Sequence, residues 1–262
     1  MKILVLGQRG MLGRTVIRFL TEKTNHEVLT INSHWGKPAF NDEIKSLRAE
    51  FIINGIGKIP QKKPALFDYN FVNVELPRFL ETLNIPTLHP STDCEFKGDI
   101  PIGESYDKNS VRDADDDYGK SKAIISAEIE DSYKNTKIIR TSIIGHEENT
   151  SLALLDWFLA QTESVKGYSN HYWNGITTLE WIKQALPIIE NWQDYPTLNQ
   201  IAVTEHYSKF DILNITREIY EKEIKITPFE TETTVNKCLT PEIEASNLKI
   251  QLVELRNFFK NR

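Results

Sequence analysis

The sequence predicts an α/β fold in which helices pack on both faces of a mainly parallel β-sheet. Apolar runs of strand length occur at residues 2–6, 51–54, 85–89 and 137–140. Between them, apolar residues recur at helical spacing, as they do over residues 11–20. Strands that alternate with helices in this way form parallel sheets with right-handed crossovers. We therefore expect a doubly wound parallel sheet over residues 1–145.

The first strand and helix enclose three glycines, Gly7, Gly10 and Gly13. In such a unit the first permits a tight turn, the second lets the backbone approach a diphosphate, and the third lets helix and strand pack closely. The helix N-terminus also favours bound phosphate. The pattern predicts a Rossmann dinucleotide-binding domain, although an ordinary strand–turn–helix with a glycine-rich corner also fits. The predicted cofactor contacts here are Gly7, Gln8, Arg9, Gly10, Met11, Leu12 and Gly13.

The second strand, predicted at residues 26–31, ends where a dinucleotide fold places the adenosine ribose. It continues into Asn32-Ser33-His34, with no carboxylate to accept a hydrogen bond from a ribose 2′-hydroxyl. Arg9, Ser33, His34 and Lys37 could instead contact a 2′-phosphate. We therefore predict NADPH as the cofactor, with NADH as the alternative and with Asn32 and Ser33 among its contacts. A solvated loop would have the same composition.

The remaining elements of the first half follow in order. A helix at residues 41–50 is capped by Asn41, and the strand at 51–54 ends in a glycine turn where Asn54 and Gly55 could contact the cofactor. A helix at 67–83 is expected to bend at Pro77. A long loop at 97–111 precedes a helix at 118–133, which follows an acidic run.

Beyond Gly145 the regular alternation ends. Helices are predicted at 152–161, 179–190 and 241–259. We expect residues 146–262 to form mostly a smaller C-terminal α/β lobe that binds substrate, with some segments returning to the Rossmann domain.

Composition excludes several classes of protein. The net charge is −6 and no basic patch is present, which argues against a nucleic-acid partner. Two cysteines far apart in sequence argue against a disulfide framework and suit a cytoplasmic location. No apolar run is long enough to cross a membrane, and the histidines show no metal-ligand spacing.

Tyr118 and Lys122 lie four residues apart, on one face of the helix that they begin. A phenol is a weak acid, and an ammonium group one turn away would lower its pKa. Thr92 or Ser91, at the end of the preceding strand, could hold a carbonyl oxygen. A cofactor that donates hydride would complete the groups that reduce a ketone. The spacing alone is weak, since Tyr133 and Lys137 repeat it across a helix end and a strand start.

Together, the glycine pattern, the segment Ser91-Thr92-Asp93-Cys94-Glu95-Phe96-Lys97-Gly98, the Tyr118/Lys122 pair and Arg140-Thr141-Ser142 resemble the extended short-chain dehydrogenase/reductases, and more narrowly their dTDP-4-dehydrorhamnose reductase branch. The resemblance implies a nucleotide-linked 4-keto-6-deoxyhexose as substrate, reduced at C4. It implies that Thr92 is the catalytic hydroxyl, that Tyr118 is the proton donor and that Lys122 also holds the nicotinamide ribose. A homodimer is left open.

Two residues depart from the rhamnose-forming pattern: Cys94 replaces a tyrosine and Ile143 replaces an aromatic residue. Cys94 resembles the acid/base thiol of GDP-fucose synthase and related enzymes, so a 3- or 3,5-epimerase/4-reductase is an alternative, with His146 or His171 as a second acid. Cys94 could equally be a small buried residue. A non-catalytic NADP-binding regulatory subunit is a third hypothesis. The candidate substrate contacts are Glu95, Phe96, Ser142, His146, Trp173 and Asn174.

Overall fold

The computed structural model describes residues 1–148 and 150–260 of the 262-residue chain. Its strands, in chain order, are β1 (Lys2–Leu6), β2 (Glu27–Leu29), β3 (Phe51–Asn54), β4 (Thr87–Ser91), β5 (Thr136–Arg140), β6 (Ile143–Ile144), β7 (Ser164–Tyr168), β8 (His171–Trp173), β9 (Ile176–Thr177), β10 (Leu198–Ala202), β11 (Tyr207–Ser208), β12 (Lys225–Phe229), β13 (Val235–Asn236) and β14 (Ile243–Glu244). Its α-helices are α1 (Met11–Lys23), α2 (Pro38–Leu47), α3 (Leu66–Tyr69), α4 (Leu76–Glu81), α5 (Asp117–Ser132), α6 (Leu154–Ala160), α7 (Thr178–Glu190), α8 (Lys209–Ile219) and α9 (Leu248–Lys260).

The central sheet of the described residues has seven parallel strands in the order β14-β10-β5-β4-β3-β1-β2. Every residue of β3 is buried, as expected of a strand covered on both faces. One face packs against α1, α7 and α9, and the other packs against α2, α4 and α5. The predicted doubly wound α/β fold is confirmed.

The helical stretch after β3 is interrupted by a π-helical segment at Asn70–Glu75, between α3 and α4. Pro77, which has no N–H to donate, follows this segment directly in α4. The helix predicted at 67–83 is therefore interrupted by a wide turn before Pro77, and the bend at Pro77 stays a prediction. Asn73, within this turn, donates from Nδ2 to the Ser121 hydroxyl of α5 over 3.1 Å.

Several predicted boundaries are wrong. Helix α2 begins at Pro38 rather than Asn41, because proline suits the first turn of a helix. Helix α9 begins at Leu248 rather than residue 241, because Ile243–Glu244 pairs with β10 as a strand. Strand β2 is three residues long, shorter than predicted.

The second half of the chain returns to the central sheet through β10 and β14. Its other strands form small separate sheets: β7 pairs with β12, β6 pairs with β9, and β8 lies between β11 and β13. The loop after β4 is attached to this half through the bridges Asp99–Asn236 and Tyr106–Leu239. The division at residue 145 stays a prediction. Among residues 1–148 and 150–260, no helix combines the length and apolarity needed to cross a bilayer.

Candidate active site

Glycines hold the turn after β1 directly against the turn after β3. Gly7 has φ +79°, a left-handed conformation that favours glycine. A Cβ at Gly7 would lie 2.5 Å from the carbonyl oxygen of Gly55, and a Cβ at Gly13 would lie 2.2 Å from the carbonyl oxygen of Gly7. The cradle therefore admits no side chain at Gly7 or Gly13, in agreement with the expected tight turn and close packing.

The N-terminus of α1 opens from this cradle. Its N-cap, Gly10, is extended and supplies no side-chain cap to the helix. Arg9 and Gly10 are exposed, and Gln8 donates from Nε2 to the carbonyl oxygen of Ile31 over 2.5 Å. N–H groups at a helix start bind anions well. The segment from Gly7 to Gly13, Met11 and Leu12 included, fits a dinucleotide diphosphate, and its role as a cofactor contact stays a prediction.

The second part of the site lies at the carboxyl end of β4. Thr92 begins a short 3₁₀ turn over Asp93–Glu95. Its hydroxyl accepts a hydrogen bond from the Cys94 amide at 3.1 Å and donates to Asp93 Oδ1 at 3.0 Å. The turn therefore holds the Thr92 side chain in one orientation.

The start of α5 packs against this turn. Asp116 caps the helix by accepting from the Gly119 amide at 2.8 Å. Gly119 approaches the turn so closely that a Cβ there would lie 2.2 Å from the carbonyl oxygen of Cys94. As a result the Tyr118 phenol lies beside the hydroxyl of Thr92. The structure thus brings together Thr92, Cys94 and Tyr118, three of the four residues that were predicted to be catalytic.

The phenol of Tyr118 is protonated at neutral pH. Burial raises its pKa above the ordinary range, the neighbouring Cys94 and the carboxylates of Asp93 and Asp116 add to this effect, and the neighbouring Thr92 hydroxyl opposes it. The sequence predicted that Lys122 would lower this pKa, but the pKa is raised. The reason is that the Lys122 ammonium points elsewhere.

Lys122 Nζ lies 2.9 Å from Nε2 of His89 and donates to the carbonyl oxygen of Pro90 over 2.7 Å. Burial lowers the pKa of Lys122 to about 8, and the negative charge of Glu95 acts against that shift. The lysine is therefore still mostly charged at pH 7 and loses its charge as the pH rises through about 8.

His89 and Asn54 form a buried link behind Lys122. Their exposed fractions are 1% and 0%. Asn54 Nδ2 lies 3.1 Å from Nδ1 of His89, and its Oδ1 accepts from the Ile56 amide at 3.1 Å. Asn54 was predicted to contact the cofactor, but its side chain faces His89 instead. The sequence analysis did not predict a role for His89. The one feature that could have indicated it is a histidine at the end of the apolar run at residues 85–89.

Asp93 joins the site to the second half of the chain. It is 4% exposed, and burial raises its pKa, while Lys237 and hydrogen bonds from Thr92, Cys94 and Ser142 act in the opposite direction. Ser142, a predicted substrate contact, therefore lies at this corner. Lys237, just after β13, had no local sequence signal. Burial raises the pKa of Cys94 to about 12, so Cys94 is a neutral thiol.

Glu95 and Phe96 were predicted to contact substrate, but both are fully buried. Glu95 Oε2 lies 2.7 Å from Arg112 Nε and 2.8 Å from Arg140 Nη2. Phe96 stacks on Tyr106 with ring centroids 4.2 Å apart. Both side chains hold the loop after β4 in place, and neither offers a surface to a ligand.

Three further predicted contacts are engaged within the protein. His146 lies 2.7 Å from Asp156 Oδ1 through Nδ1 and 2.9 Å from the Tyr220 hydroxyl through Nε2. Trp173 packs in the interior of the second half. Asn174 donates to the carbonyl oxygens of Val203 and Leu239 and accepts from the Leu239 amide.

No group of three or more His, Cys, Asp or Glu side chains suited to a metal occurs within the described part of the chain. His171, the other candidate second acid, stacks on Tyr168 at 4.6 Å between ring centroids.

The glycine turns and the parallel sheet define the fold as a doubly wound α/β fold of the Rossmann type. Among solved structures, the chain is similar to dTDP-4-dehydrorhamnose reductase from Clostridium acetobutylicum, with TM-score 0.82, 19% identity, 99% of this chain covered and 100% of that one. It is similar to the Bacillus anthracis dTDP-4-dehydrorhamnose reductase in complex with NADP, with TM-score 0.82, 15% identity and coverage of 100% and 99%. It is also similar to the Bacillus anthracis dTDP-glucose 4,6-dehydratase in complex with NAD, with TM-score 0.78, 13% identity and coverage of 99% and 96%.

These similarities extend over the whole chain and show that it shares the fold of these sugar-nucleotide enzymes. No protein-family model matches the sequence, and the search of curated proteins found no match.

Proposed function

We propose that this chain is an NAD(P)H-dependent reductase of the C4 ketone of a nucleotide-linked 4-keto-6-deoxyhexose. The observation that carries the proposal is the close packing of the Tyr118 helix on the Thr92 turn, which puts the phenol beside the Thr92 hydroxyl one strand away from the glycine cradle. The likeness to the two dTDP-4-dehydrorhamnose reductases supports it.

The proton chemistry follows from Tyr118. A reduced nicotinamide, when bound, supplies the hydride that such a reduction needs. The Tyr118 phenol is protonated at neutral pH and can donate to the carbonyl oxygen as negative charge develops there, although burial raises its pKa and so makes it a weaker acid than an exposed phenol. The Thr92 hydroxyl is fixed by its own turn and can orient that oxygen. Lys122, held by His89 and Pro90, would bind the nicotinamide ribose.

The start of α1, where Gly10 is the N-cap and no side chain caps the helix, would bind the diphosphate of a nicotinamide dinucleotide, and the close contacts of Gly7, Gly13 and Gly55 hold the two turns together beneath it. Ser142 and Lys237 are the groups at the catalytic corner that could contact the sugar nucleotide. The absence of nucleic-acid or membrane partners, a homodimer and a cytoplasmic location stay predictions from the sequence.

Two alternatives remain distinct hypotheses. An epimerase/reductase would use Cys94 as a base, yet a thiol whose pKa burial raises to about 12 holds its proton at neutral pH. A regulatory subunit would not need the Thr92–Tyr118 pair. Both observations favour the reductase.

The test is oxidation of NADH and NADPH by the purified chain with dTDP-, UDP-, GDP- and CDP-4-keto-6-deoxyhexoses. We expect turnover with at least one of them, and a loss of about 10²- to 10⁴-fold in Tyr118→Phe with cofactor affinity retained. Tyr133→Phe is the matched control, because Tyr133 has the same spacing to a lysine but lies at the end of α5. Cofactor binding without turnover of any substrate would favour the regulatory subunit.

A further inference from the structure

The carboxylate of Glu43, on α2, lies against the segment that follows β2. Glu43 Oε1 accepts from the Asn32 amide at 3.0 Å, and Oε2 accepts from the Ser33 amide at 3.0 Å. The Ser33 hydroxyl also donates to Oε2. Three neighbouring donors therefore converge on one acidic side chain that is distant from them in sequence.

This segment borders the phosphate cradle. Gln8, between Gly7 and Gly10, donates to the carbonyl oxygen of Ile31, the residue before Asn32. In a doubly wound dinucleotide fold, the residues after the second strand face the adenosine ribose. Glu43 is therefore placed where a protein can distinguish a 2′-hydroxyl from a 2′-phosphate on that ribose.

NADH and NADPH differ only at this position, where one carries a neutral hydroxyl and the other a phosphate of nearly two negative charges. A carboxylate accepts a hydrogen bond from the hydroxyl. It repels the phosphate and also occupies the two amides and the hydroxyl that would otherwise bind it. The pKa of Glu43 is lowered, and the hydrogen bond from the Ser33 hydroxyl is the largest cause. The carboxylate therefore keeps its negative charge at neutral pH.

We propose that Glu43 selects NADH over NADPH, by supplying from α2 the carboxylate that the end of β2 lacks. The inference rests on the proposed function only in assuming that the cradle binds a nicotinamide dinucleotide. It replaces the sequence-based prediction of NADPH, in which Arg9, Ser33, His34 and Lys37 contact a 2′-phosphate.

The basic side chains nearby act in the opposite direction. Arg9, His34 and Lys37 are exposed, and among the described residues their side chains form no ion pair. Solvent screens such charges strongly. Glu43, in contrast, is held at the site by its three donors, and it is half-buried. We therefore expect the carboxylate to determine the preference.

The test measures the equilibrium binding of NADH and NADPH by titration calorimetry, without substrate. The proteins compared are wild type, Glu43→Gln and Asp42→Asn. We expect wild type to bind NADH about 10-fold or more tightly than NADPH, as one carboxylate about 5 Å from a phosphate of nearly two negative charges would produce in water. Glu43→Gln should lose most of this preference, mainly by gaining affinity for NADPH. Asp42→Asn, on the exposed side of the same helix, should retain it.

A second measurement needs no variant. The ratio of the two affinities in wild type should fall as ionic strength rises toward 1 M, where screening reaches about 3 Å. Tighter binding of NADPH by wild type, or an unchanged ratio in folded Glu43→Gln, would overturn the inference. Failure of both dinucleotides to bind would instead reject the proposed function.

Discussion

Gly119 of α5 meets the backbone of Cys94 so closely that a Cβ would lie 2.2 Å from the Cys94 carbonyl oxygen. This contact sets the distance between the helix that carries Tyr118 and the turn that carries Thr92. Because the obstructing atom belongs to the backbone, a side chain at residue 119 can be accommodated only if the helix or the turn moves.

We therefore expect Gly119→Ala to separate the Tyr118 phenol from the Thr92 hydroxyl. A displacement of about 1 Å should lower kcat by about 10²-fold. Steady-state kinetics with the substrate identified in the panel would measure it. Lys120→Ala, at the next and exposed position of α5, is the control and should retain wild-type kcat. A wild-type kcat in folded Gly119→Ala would show that the close contact has no catalytic importance.

Cys94→Ser separates reduction from epimerisation. We expect wild type to incorporate no solvent deuterium at C3 or C5 of the sugar, because the Cys94 thiol stays protonated with a pKa of about 12. We also expect the variant to reduce substrate at a rate within about threefold of wild type, since serine keeps the size and the hydrogen-bonding capacity of the side chain. Mass spectrometry of the product in deuterated water tests this. Deuterium in the wild-type product that is absent from a variant still able to reduce would favour the epimerase/reductase.

Glu95→Gln should destabilise the fold strongly. Glu95 and Arg140 are both fully buried and their charged atoms lie 2.8 Å apart, so the substitution leaves the Arg140 guanidinium without its nearest counter-charge. The expected loss is about 3–5 kcal/mol in the free energy of unfolding, measured by urea titration. Glu130→Gln is the matched control. Its carboxylate is 30% exposed and also contacts Arg112, so a loss of about 1 kcal/mol or less is expected. Equal losses of unfolding free energy in the two variants would contradict the conclusion that Glu95 is the main counter-charge of Arg140.

His89 should make the protein less stable in acid. Burial, followed by the positive charge of Lys122, holds the pKa of His89 well below 6.5 in the folded chain. Below pH 6.5 the unfolded chain binds a proton at this residue and the folded chain does not, so the free energy of unfolding falls as pH falls. One such group contributes a slope of up to about 1.4 kcal/mol per pH unit.

His89→Asn should remove this slope between pH 6.5 and pH 5, as measured by urea unfolding across that range. Above about pH 7.5 the pH dependence of the two proteins should run parallel, which provides an internal control. An unchanged slope in acid would mean that His89 is protonated in the folded state.

Short apolar runs and the turns that end them were enough to predict the strands of the first half of the chain. β1 and β3 lie at the predicted residues because each is a short apolar run followed by a glycine. Gly7 follows β1, and Gly55 follows Asn54, the last residue of β3. The strands of the second half had no such signal. β7 pairs with β12, and its residues become a strand only through partners distant in sequence.

The site divides in the same way. Thr92 and Tyr118 were found because each stands in a motif beside a recognisable element boundary. Glu43, His89 and Lys237 were missed, since each reaches its partners from another element of the fold. Glu95 and Phe96 were predicted as ligand contacts within the segment at residues 91–98 that carries the resemblance, and only the structure shows the arginines and the Tyr106 ring that they contact.

The return of the chain through β10 has a consequence for its synthesis. β5 lies inside the sheet only because Leu198 pairs beside Ile138 on its outer side. While the ribosome is still adding residues 141–197, β5 is therefore an open edge with unpaired amides and carbonyls. Such an edge invites pairing with another nascent chain, so this is the interval in which chaperones would matter most to the yield of native protein.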